Sequence, residues 1–156
     1  MTKVIVVRHN IEVAHRLWQL EGDKCQNIHG HSMWVEMQLE APGMEKGIAT
    51  DGQGKQLDFG SVKGLFRRYL DETYDHHLLL HKDDPFACPL VSFGSEAQPP
   101  APLPGLLRTP DDPSTENIAQ WIARWSSQMF KCNTIVRVNE THVNAAIAFA
   151  DWDLDA

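Results

Sequence analysis

The sequence predicts an α+β fold in which two helices cover one face of a four-stranded antiparallel sheet. Two segments in the first third of the chain alternate apolar and polar residues with a period of two, which is typical of half-buried strands. Two later segments space their apolar residues as amphipathic helices do, and two strand-like segments end the chain. The order strand, strand, helix, helix, strand, strand fits one antiparallel sheet with both helices on one face.

Length and charge narrow the class of protein. The 156 residues suffice for a single domain, 1–156, that buries a core of its own. Lys and Arg number 14 against 21 Asp and Glu, and this net charge of −7 argues against nonspecific binding to nucleic acid or to anionic membranes. No apolar run approaches the ~20 residues that span a bilayer. The first residues form a strand pattern rather than a signal peptide, so we expect a cytoplasmic protein.

The first two strands carry the most informative residues. Residues 3–15 form the first strand, whose apolar odd positions end at His15. The second strand begins near residue 29. Its apolar odd positions are Met33, Val35, Met37 and Leu39. The same parity extended backward puts His29 and His31 on the apolar face, and antiparallel pairing of the two strands would bring His15 towards them.

Three histidines at neighbouring strand ends suggest a metal site. The alternative is that each is a hydrogen-bonded residue of the core or its rim. Two imidazoles two residues apart on one strand point the same way, as a shared metal ion requires. Three neutral imidazoles leave a fourth position open for a catalytic ligand, which favours zinc, although imidazole also suits iron and nickel.

Two helices are predicted after a polar loop at 42–54. The first begins after Asp58, a plausible N-cap, and runs to about Tyr74. Its apolar residues at helical spacing are Phe59, Val62, Phe66, Tyr69 and Leu70. The second opens at 112–116 with a cap residue, an early proline and an acid in the first turn. Its predicted buried stripe is Ile118, Trp121, Ile122, Trp125 and Met129.

Between the helices the composition changes. Eight of the nine prolines lie between Pro85 and Pro113, which predicts an irregular, partly polyproline insertion at about 82–112. After the second helix, a third strand places Val136 and Val138 on one face, and a fourth covers 143–149.

Three further sites could carry chemistry, and each also has a plainer interpretation. Cys25 is by default a small buried hydrophobe, but a cation and Lys24 nearby would lower its thiol pKa from ~8.5. Asp75 and His76, at the end of the first helix, are either a solvated pair or an oriented acid–base pair. Glu140 shares the parity of the buried valines of its strand. It either pairs with a core arginine or faces a ligand with two adjacent N–H groups, as a pterin or guanine presents.

The chain resembles the 6-pyruvoyl-tetrahydropterin synthase family, and within it most the 6-carboxytetrahydropterin synthases of the 7-deazapurine (queuosine) pathway. The matching motifs occur in family order and span almost the whole chain except the proline-rich segment. They are Ala14-His15-Arg16, Cys25-x3-His29-Gly30-His31, Leu57-Asp58-Phe59, Asp75-His76-His77-Leu78, Pro113-Ser114-Thr115-Glu116 and Val138-Asn139-Glu140-Thr141.

This resemblance implies a fold, an assembly and a site. The fold would be the tunnelling fold (T-fold), whose subunits join their sheets around a shared barrel, usually as a homohexamer (a dimer of trimers) with sites at subunit interfaces. The implied residues are His15, His29 and His31 for Zn2+, Cys25, Asp75 and His76 for proton transfer, and Glu140, Glu116 and Thr115 for the pterin. Three departures from the family stand out: the long 82–112 segment, Tyr74 where leucine is usual, and Ser114 where threonine is usual.

The activity that the resemblance implies is a zinc-dependent lyase acting on 7,8-dihydroneopterin triphosphate. Only three residues separate Cys25 from His29, whereas pyruvoyl-forming members usually have a longer spacer, so the resemblance favours the 6-carboxytetrahydropterin product. The alternatives are the pyruvoyl-forming activity, a non-catalytic pterin-binding protein of the same fold, and a structural zinc protein. A structural zinc site would more typically fill its fourth position with a protein ligand.

Overall fold

The computed structural model describes residues 3–87, 91–92, 101–102 and 105–153. Single-turn 3-10 helices lie at Lys24–Gln26 and Pro85–Ala87. The strands and helices, in chain order, are β1 (Lys3–His15), β2 (His29–Ala41), β3 (Gly43–Glu45), β4 (Ile48–Thr50), α1 (Phe59–Thr73), β5 (His77–His81), β6 (Val91–Ser92), β7 (Ala101–Pro102), β8 (Leu106–Thr109), α2 (Thr115–Phe130), β9 (Asn133–Asn139) and β10 (Ala145–Ala150).

The main sheet has six strands rather than the four that the sequence predicted. Its order is β10-β9-β2-β1-β5-β8. The first four are the predicted strands and pair antiparallel, whereas β5 and β8 add to the edge of β1 in parallel. The added strands were missed because the leucines of His77–His81 form a continuous apolar run, and buried parallel strands lack the alternation that marks a half-buried strand.

Both helices pack on one face of this sheet, as predicted. The odd positions of β1 and β2 point into the core, and Ile11, Met33 and Val35 have no exposed surface. The helices cover these residues with Val62, Phe66 and Leu70 from α1 and with Ile118 and Ile122 from α2. Burial of aliphatic side chains of this kind contributes about 25 cal/mol per Å2 of apolar surface removed from water.

The helix boundaries agree with the prediction, but two side chains do not lie where it put them. Asp58 caps α1 by accepting a hydrogen bond from the Ser61 backbone N–H. Phe59 is 64% exposed and Met129 is 46% exposed, so neither belongs to the core. The buried face of α2 is formed in part by small residues, which let the helix approach the sheet closely. Those residues are Ala119, Ala123, Ser126 and Ser127.

Two segments expected to be irregular contain ordered strands. In the loop at 42–54, β3 and β4 form a small hairpin whose turn residues Lys46 and Gly47 both have positive φ, as two-residue hairpin turns require. In the proline-rich insertion, β8 joins the main sheet through β5. The predicted irregular segment also includes 88–90, 93–100 and 103–104, and these residues lie outside the described ranges.

In the described part of the chain, neither helix is long and apolar enough to span a membrane.

Candidate functional site

The β1–β2 hairpin brings the three predicted histidines together. The antiparallel register sets His15 directly opposite His29 and sets Val13 opposite His31. The ring centroids lie 4.6 Å apart for His15 and His29, 5.2 Å for His15 and His31, and 5.0 Å for His29 and His31. One ligand nitrogen from each ring lies within 4.8 Å of the other two, so the three rings could hold one metal ion.

Hydrogen bonds orient these rings for ligation through Nε2. His15 Nδ1 lies 2.7 Å from the Pro113 carbonyl oxygen, and His29 Nδ1 lies 2.8 Å from that of Asn27. A carbonyl oxygen only accepts, so Nδ1 is the donor in both rings and the Nε2 lone pair stays free. Carbonyl partners of this kind fix the tautomer of metal-binding histidines in general.

The buried Nε2 atoms fit a cation. Among the described residues, His15 Nε2 and His31 Nε2 are buried without any hydrogen-bond partner. These two atoms belong to one cluster of three rings, so a single cation could satisfy both. Burial, reinforced by the neighbouring imidazoles and opposed by the Pro113 carbonyl, lowers the pKa of His15 and favours the neutral ring that a metal requires.

Glu140 lies next to the histidine cluster. Its Oε1 is 3.8 Å from His15 Nε2 and 3.7 Å from His31 Nε2. Thr115, the first residue of α2, donates a hydrogen bond of 2.8 Å from its Oγ1 to the same carboxylate. Within the described residues no arginine pairs with Glu140, so the core ion pair considered for it is not found there.

One cleft of about 270 Å3 collects four of the predicted residues. Cys25, Thr115, Glu116 and Glu140 all line it, with Ala145 and its neighbours from β10 on the far side. Because the three elements that supply these residues are the loop after β1, the start of α2 and the end of β9, only the tertiary fold brings them together.

Cys25 differs from expectation in its pKa. Asp23 caps the 3-10 turn Lys24–Gln26 by accepting a hydrogen bond of 2.7 Å from the Cys25 backbone N–H. The Asp23 carboxylate, helped by partial burial, raises the pKa of the Cys25 thiol despite the opposing charge of Lys24. Lys24 lowers this pKa as expected, but Asp23 outweighs it in the protein alone, and the expected effect of a nearby cation stays a prediction. The signal was an aspartate two residues before Cys25, at the spacing of an Asx turn.

Asp75 and His76 form the oriented pair that the sequence suggested. His76 Nδ1 lies 2.8 Å from Asp75 Oδ2, and Asp75 Oδ1 accepts a hydrogen bond of 2.8 Å from the Glu12 backbone N–H. Partial burial would raise the pKa of Asp75, but the hydrogen bonds from Glu12 and His76 outweigh it and lower that pKa. The His76 backbone is left-handed, with φ of 59°, and its side chain is 79% exposed.

His76 does not share a cleft with Cys25. It lines a separate cleft of about 480 Å3 together with Glu12, His31 and Ser32. The histidine cluster thus lies between two openings, with Cys25 and Glu140 at one and His76 at the other. Within a single chain, the predicted proton-transfer residues are therefore divided between two clefts.

The chain is similar in sequence to a known protein family and to several curated proteins. The sequence profile of the family described as 6-pyruvoyl tetrahydropterin synthase matches residues 4–151. The chain is 36% identical over 77 residues to the 6-carboxy-5,6,7,8-tetrahydropterin synthase of Rickettsia conorii, covering 49% of this chain and 51% of that one. The protein of the same name from Rickettsia felis is 35% identical over 77 residues, with the same coverage. The match thus spans about half the length of these curated relatives.

Solved structures show the same fold. A crystal structure of an uncharacterized protein from Wolinella succinogenes aligns with a TM-score of 0.75 at 21% identity, over 97% of this chain and 99% of that one. A catalytic-residue mutant of the 6-pyruvoyltetrahydropterin synthase of Plasmodium vivax aligns with a TM-score of 0.65 at 18% identity and with the same coverage.

Proposed function

Because this chain belongs to the 6-pyruvoyl tetrahydropterin synthase family, we propose that it is a zinc-dependent lyase acting on 7,8-dihydroneopterin triphosphate. The products would be 6-carboxy-5,6,7,8-tetrahydropterin, acetaldehyde and triphosphate. The observation that carries the proposal is the convergence of three histidine Nε2 atoms beside a cleft that also holds Cys25 and Glu140. The curated relatives named 6-carboxytetrahydropterin synthase support the choice of product.

The metal centre would consist of His15, His29 and His31. A zinc ion held there would supply Lewis acidity towards the side-chain oxygens of the substrate. The chain would prepare for this by turning Nδ1 of His15 and His29 to backbone carbonyls, which leaves Nε2 of both rings towards the metal position. It also leaves two Nε2 atoms buried without a partner among the described residues.

Glu140 would bind the pterin ring. Its carboxylate accepts one hydrogen bond from Thr115, which fixes its orientation and leaves other lone pairs for the adjacent N–H groups of the ligand. Glu116 lies on the exposed rim of the same cleft, where it could accept a further hydrogen bond. Charge-assisted hydrogen bonds of this type are stronger than those between neutral groups, so they would both bind the pterin ring and fix its orientation.

Cys25 and His76 would move the protons. Cys25, as the thiolate, would take a proton from the substrate side chain, and Asp23, which raises the pKa of the thiol, favours its protonated form beforehand. His76, oriented by Asp75, would return a proton to the substrate. Triphosphate would leave, and one water molecule would be consumed as the side chain is cleaved to the 6-carboxylate and acetaldehyde.

Because His76 and Cys25 line different clefts, we place the complete site between subunits of a homohexamer. The β1 edge pairs with β5 only at Val13–His15, so its earlier part is open in the described structure, as is the outer edge of β10. The sheet face away from the helices also exposes apolar side chains. These are Val4, Val6, Trp34, Ile147 and Phe149. Open edges and an apolar face favour closure of several sheets into a shared barrel.

The test is incubation of purified protein with dihydroneopterin triphosphate, with products identified by mass. A coupled dehydrogenase would detect acetaldehyde, and a colorimetric assay would detect triphosphate. We expect both products in equal amounts. Triphosphate without acetaldehyde would favour the pyruvoyl-forming activity. Binding of the substrate without release of either product would favour a non-catalytic pterin-binding protein.

A further inference from the structure

A buried ion pair connects the proline-rich insertion to the residue that follows His15. Arg16 Nε lies 3.4 Å from Asp84 Oδ2. The Asp84 side chain has no exposed surface, and that of Arg16 is only 12% exposed. A buried carboxylate is costly unless a counter-charge accompanies it, so Asp84 constrains where Arg16 can lie.

Asp84 and Phe86 hold the Arg16 side chain from two directions. Asp84 Oδ1 accepts a hydrogen bond of 2.8 Å from the Phe86 backbone N–H, which fixes the carboxylate and leaves Oδ2 towards Arg16. The Phe86 ring lies beneath the guanidinium, with Arg16 Cζ 4.0 Å from the ring centroid. The Arg108 guanidinium donates a hydrogen bond of 3.0 Å to the Ala87 carbonyl and so joins the two ends of the insertion. Both an ionic and a cation–π contact therefore place Arg16.

The residues directly after Arg16 hold the turn that carries Cys25. The Leu17 backbone N–H donates a hydrogen bond of 2.9 Å to the Cys25 carbonyl oxygen. The Gln26 side-chain amide donates one of 2.9 Å to the Trp18 carbonyl oxygen. A displacement of Arg16 would thus be passed to the thiol through two adjacent hydrogen bonds. The imidazole of His15 is secured separately, by the Pro113 carbonyl.

We propose that Asp84 and Phe86 are positioning residues that set the place of Cys25 through Arg16. They act on the thiol loop, 16–28, and leave the histidine cluster in place. The consequence for turnover rests on the proposed function, whereas the effect on the loop itself does not. The first turn of the insertion therefore contributes to the reaction by positioning the Cys25 thiol.

The first test measures the loop directly. Asp84→Asn removes the charge but keeps an acceptor for the Phe86 amide, and the matched control is Asp83→Asn at the neighbouring side chain, which is 67% exposed. Hydrogen exchange of the peptide covering 16–28 should be about tenfold faster or more in Asp84→Asn and unchanged in the control. Zinc content should stay at the wild-type level in both variants.

The second test measures turnover. A misplacement of ~1 Å at a reacting group can cost ~100-fold in rate, so kcat of Asp84→Asn should fall by about 10- to 100-fold with KM little changed. If the variant does not fold, Phe86→Leu replaces it, because it removes the aromatic face but keeps the ion pair. The double variant Arg16→Gln with Asp84→Asn should exchange no faster than Asp84→Asn, since the two residues act as one unit.

Unchanged exchange over 16–28 in both Asp84→Asn and Phe86→Leu would overturn the proposal, whatever the wild-type activity. Faster exchange in a protein whose wild type releases no triphosphate would support the positioning role and count against the proposed function. A raised KM with unchanged kcat and unchanged exchange would also overturn the positioning role.

Discussion

His29 is only partly buried and is the simplest of the three candidate ligands to remove. Its ring is held by the Asn27 carbonyl two residues away and not by the core. We expect His29→Ala to fold normally and to lose zinc from one ion per chain to near none, because two imidazoles bind the ion far more weakly than three. Metal analysis of the purified variant checks this. His142→Ala, at an exposed position away from the cluster, should keep its zinc. Full occupancy in His29→Ala would disprove the ligand assignment.

Cys25 and Cys132 offer a matched pair of cysteines. We expect Cys25→Ala to keep fold and zinc but to lose turnover by at least ~100-fold, because the thiol is placed for proton transfer. Cys132 is buried with 1% exposure, so Cys132→Ala should cost about 1 kcal/mol of unfolding free energy and leave kcat unchanged. Steady-state kinetics and thermal unfolding of both variants separate the two roles. If Cys25→Ala stays active with a lower melting temperature, the thiol only packs.

Asp23 should control the pH at which Cys25 becomes reactive. It raises the pKa of the Cys25 thiol, so its neutralisation should lower that pKa and increase the thiolate fraction at a given pH. Asparagine also caps short helices, so Asp23→Asn should keep the turn. The rate of Cys25 alkylation by iodoacetamide, followed peptide by peptide, should rise along a curve shifted to lower pH. An unshifted curve would show that Asp23 does not act on the thiol.

At the scale of the element, the β1–β2 hairpin is the scaffold of the site, and Gly30 is its critical position. Gly30 separates the two histidines of β2, and a Cβ added there would lie 3.1 Å from the Val13 carbonyl oxygen of β1. At this distance the Val13 carbonyl must move by a few tenths of an ångström, and as backbone of the paired strand it can do so only by moving β1 against β2. Because His15 and His29 face each other across this pair, such a shift would also spread the histidine cluster.

We therefore expect Gly30→Ala to lower the unfolding free energy by about 1–3 kcal/mol, as overpacking usually does, and to weaken zinc binding. The matched control is Gly64→Ala on the exposed side of α1, where nothing lies within 4 Å of the added Cβ. That change should raise the unfolding free energy by up to about 1 kcal/mol, because alanine favours helix. Denaturant unfolding and zinc titration measure both effects. Equal stability of the two variants would contradict the close contact at Gly30.

At the scale of the whole molecule, the separation of His76 from Cys25 has a consequence for mixed assemblies. If a site takes Cys25 from one subunit and His76 from another, two inactive variants can complement each other. Cys25→Ala and His76→Ala, unfolded and refolded together, should recover roughly one quarter of the wild-type activity, the chance that one site receives both intact residues.

Each variant refolded alone is the control and should remain inactive. Native mass spectrometry should show that mixed oligomers have formed. Mixed oligomers without recovered activity would indicate that each chain supplies its own complete site.

Periodicity alone determined much of this molecule. The bounds of β1, the capped start of α1 and the inward-facing residues of β2 follow from local patterns, because alternation and capping depend on residues within one turn or one pleat. The same parity, with antiparallel pairing, was enough to predict that His15 approaches His29. The motifs that resemble the family then indicated Cys25 and Glu140, which line one cleft.

Only the tertiary structure decided what depends on contacts between distant parts of the chain. The parallel addition of β5 and β8, the Pro113 carbonyl on His15 and the ion pair of Arg16 with Asp84 join residues tens of positions apart. The direction of the Cys25 pKa shift is a different case: Asp23 is near in sequence, but only the observed turn shows that its carboxylate folds back onto Cys25. Short-range patterns predict elements and faces, whereas the electrostatics of a site depend on which groups the fold brings within a few ångströms.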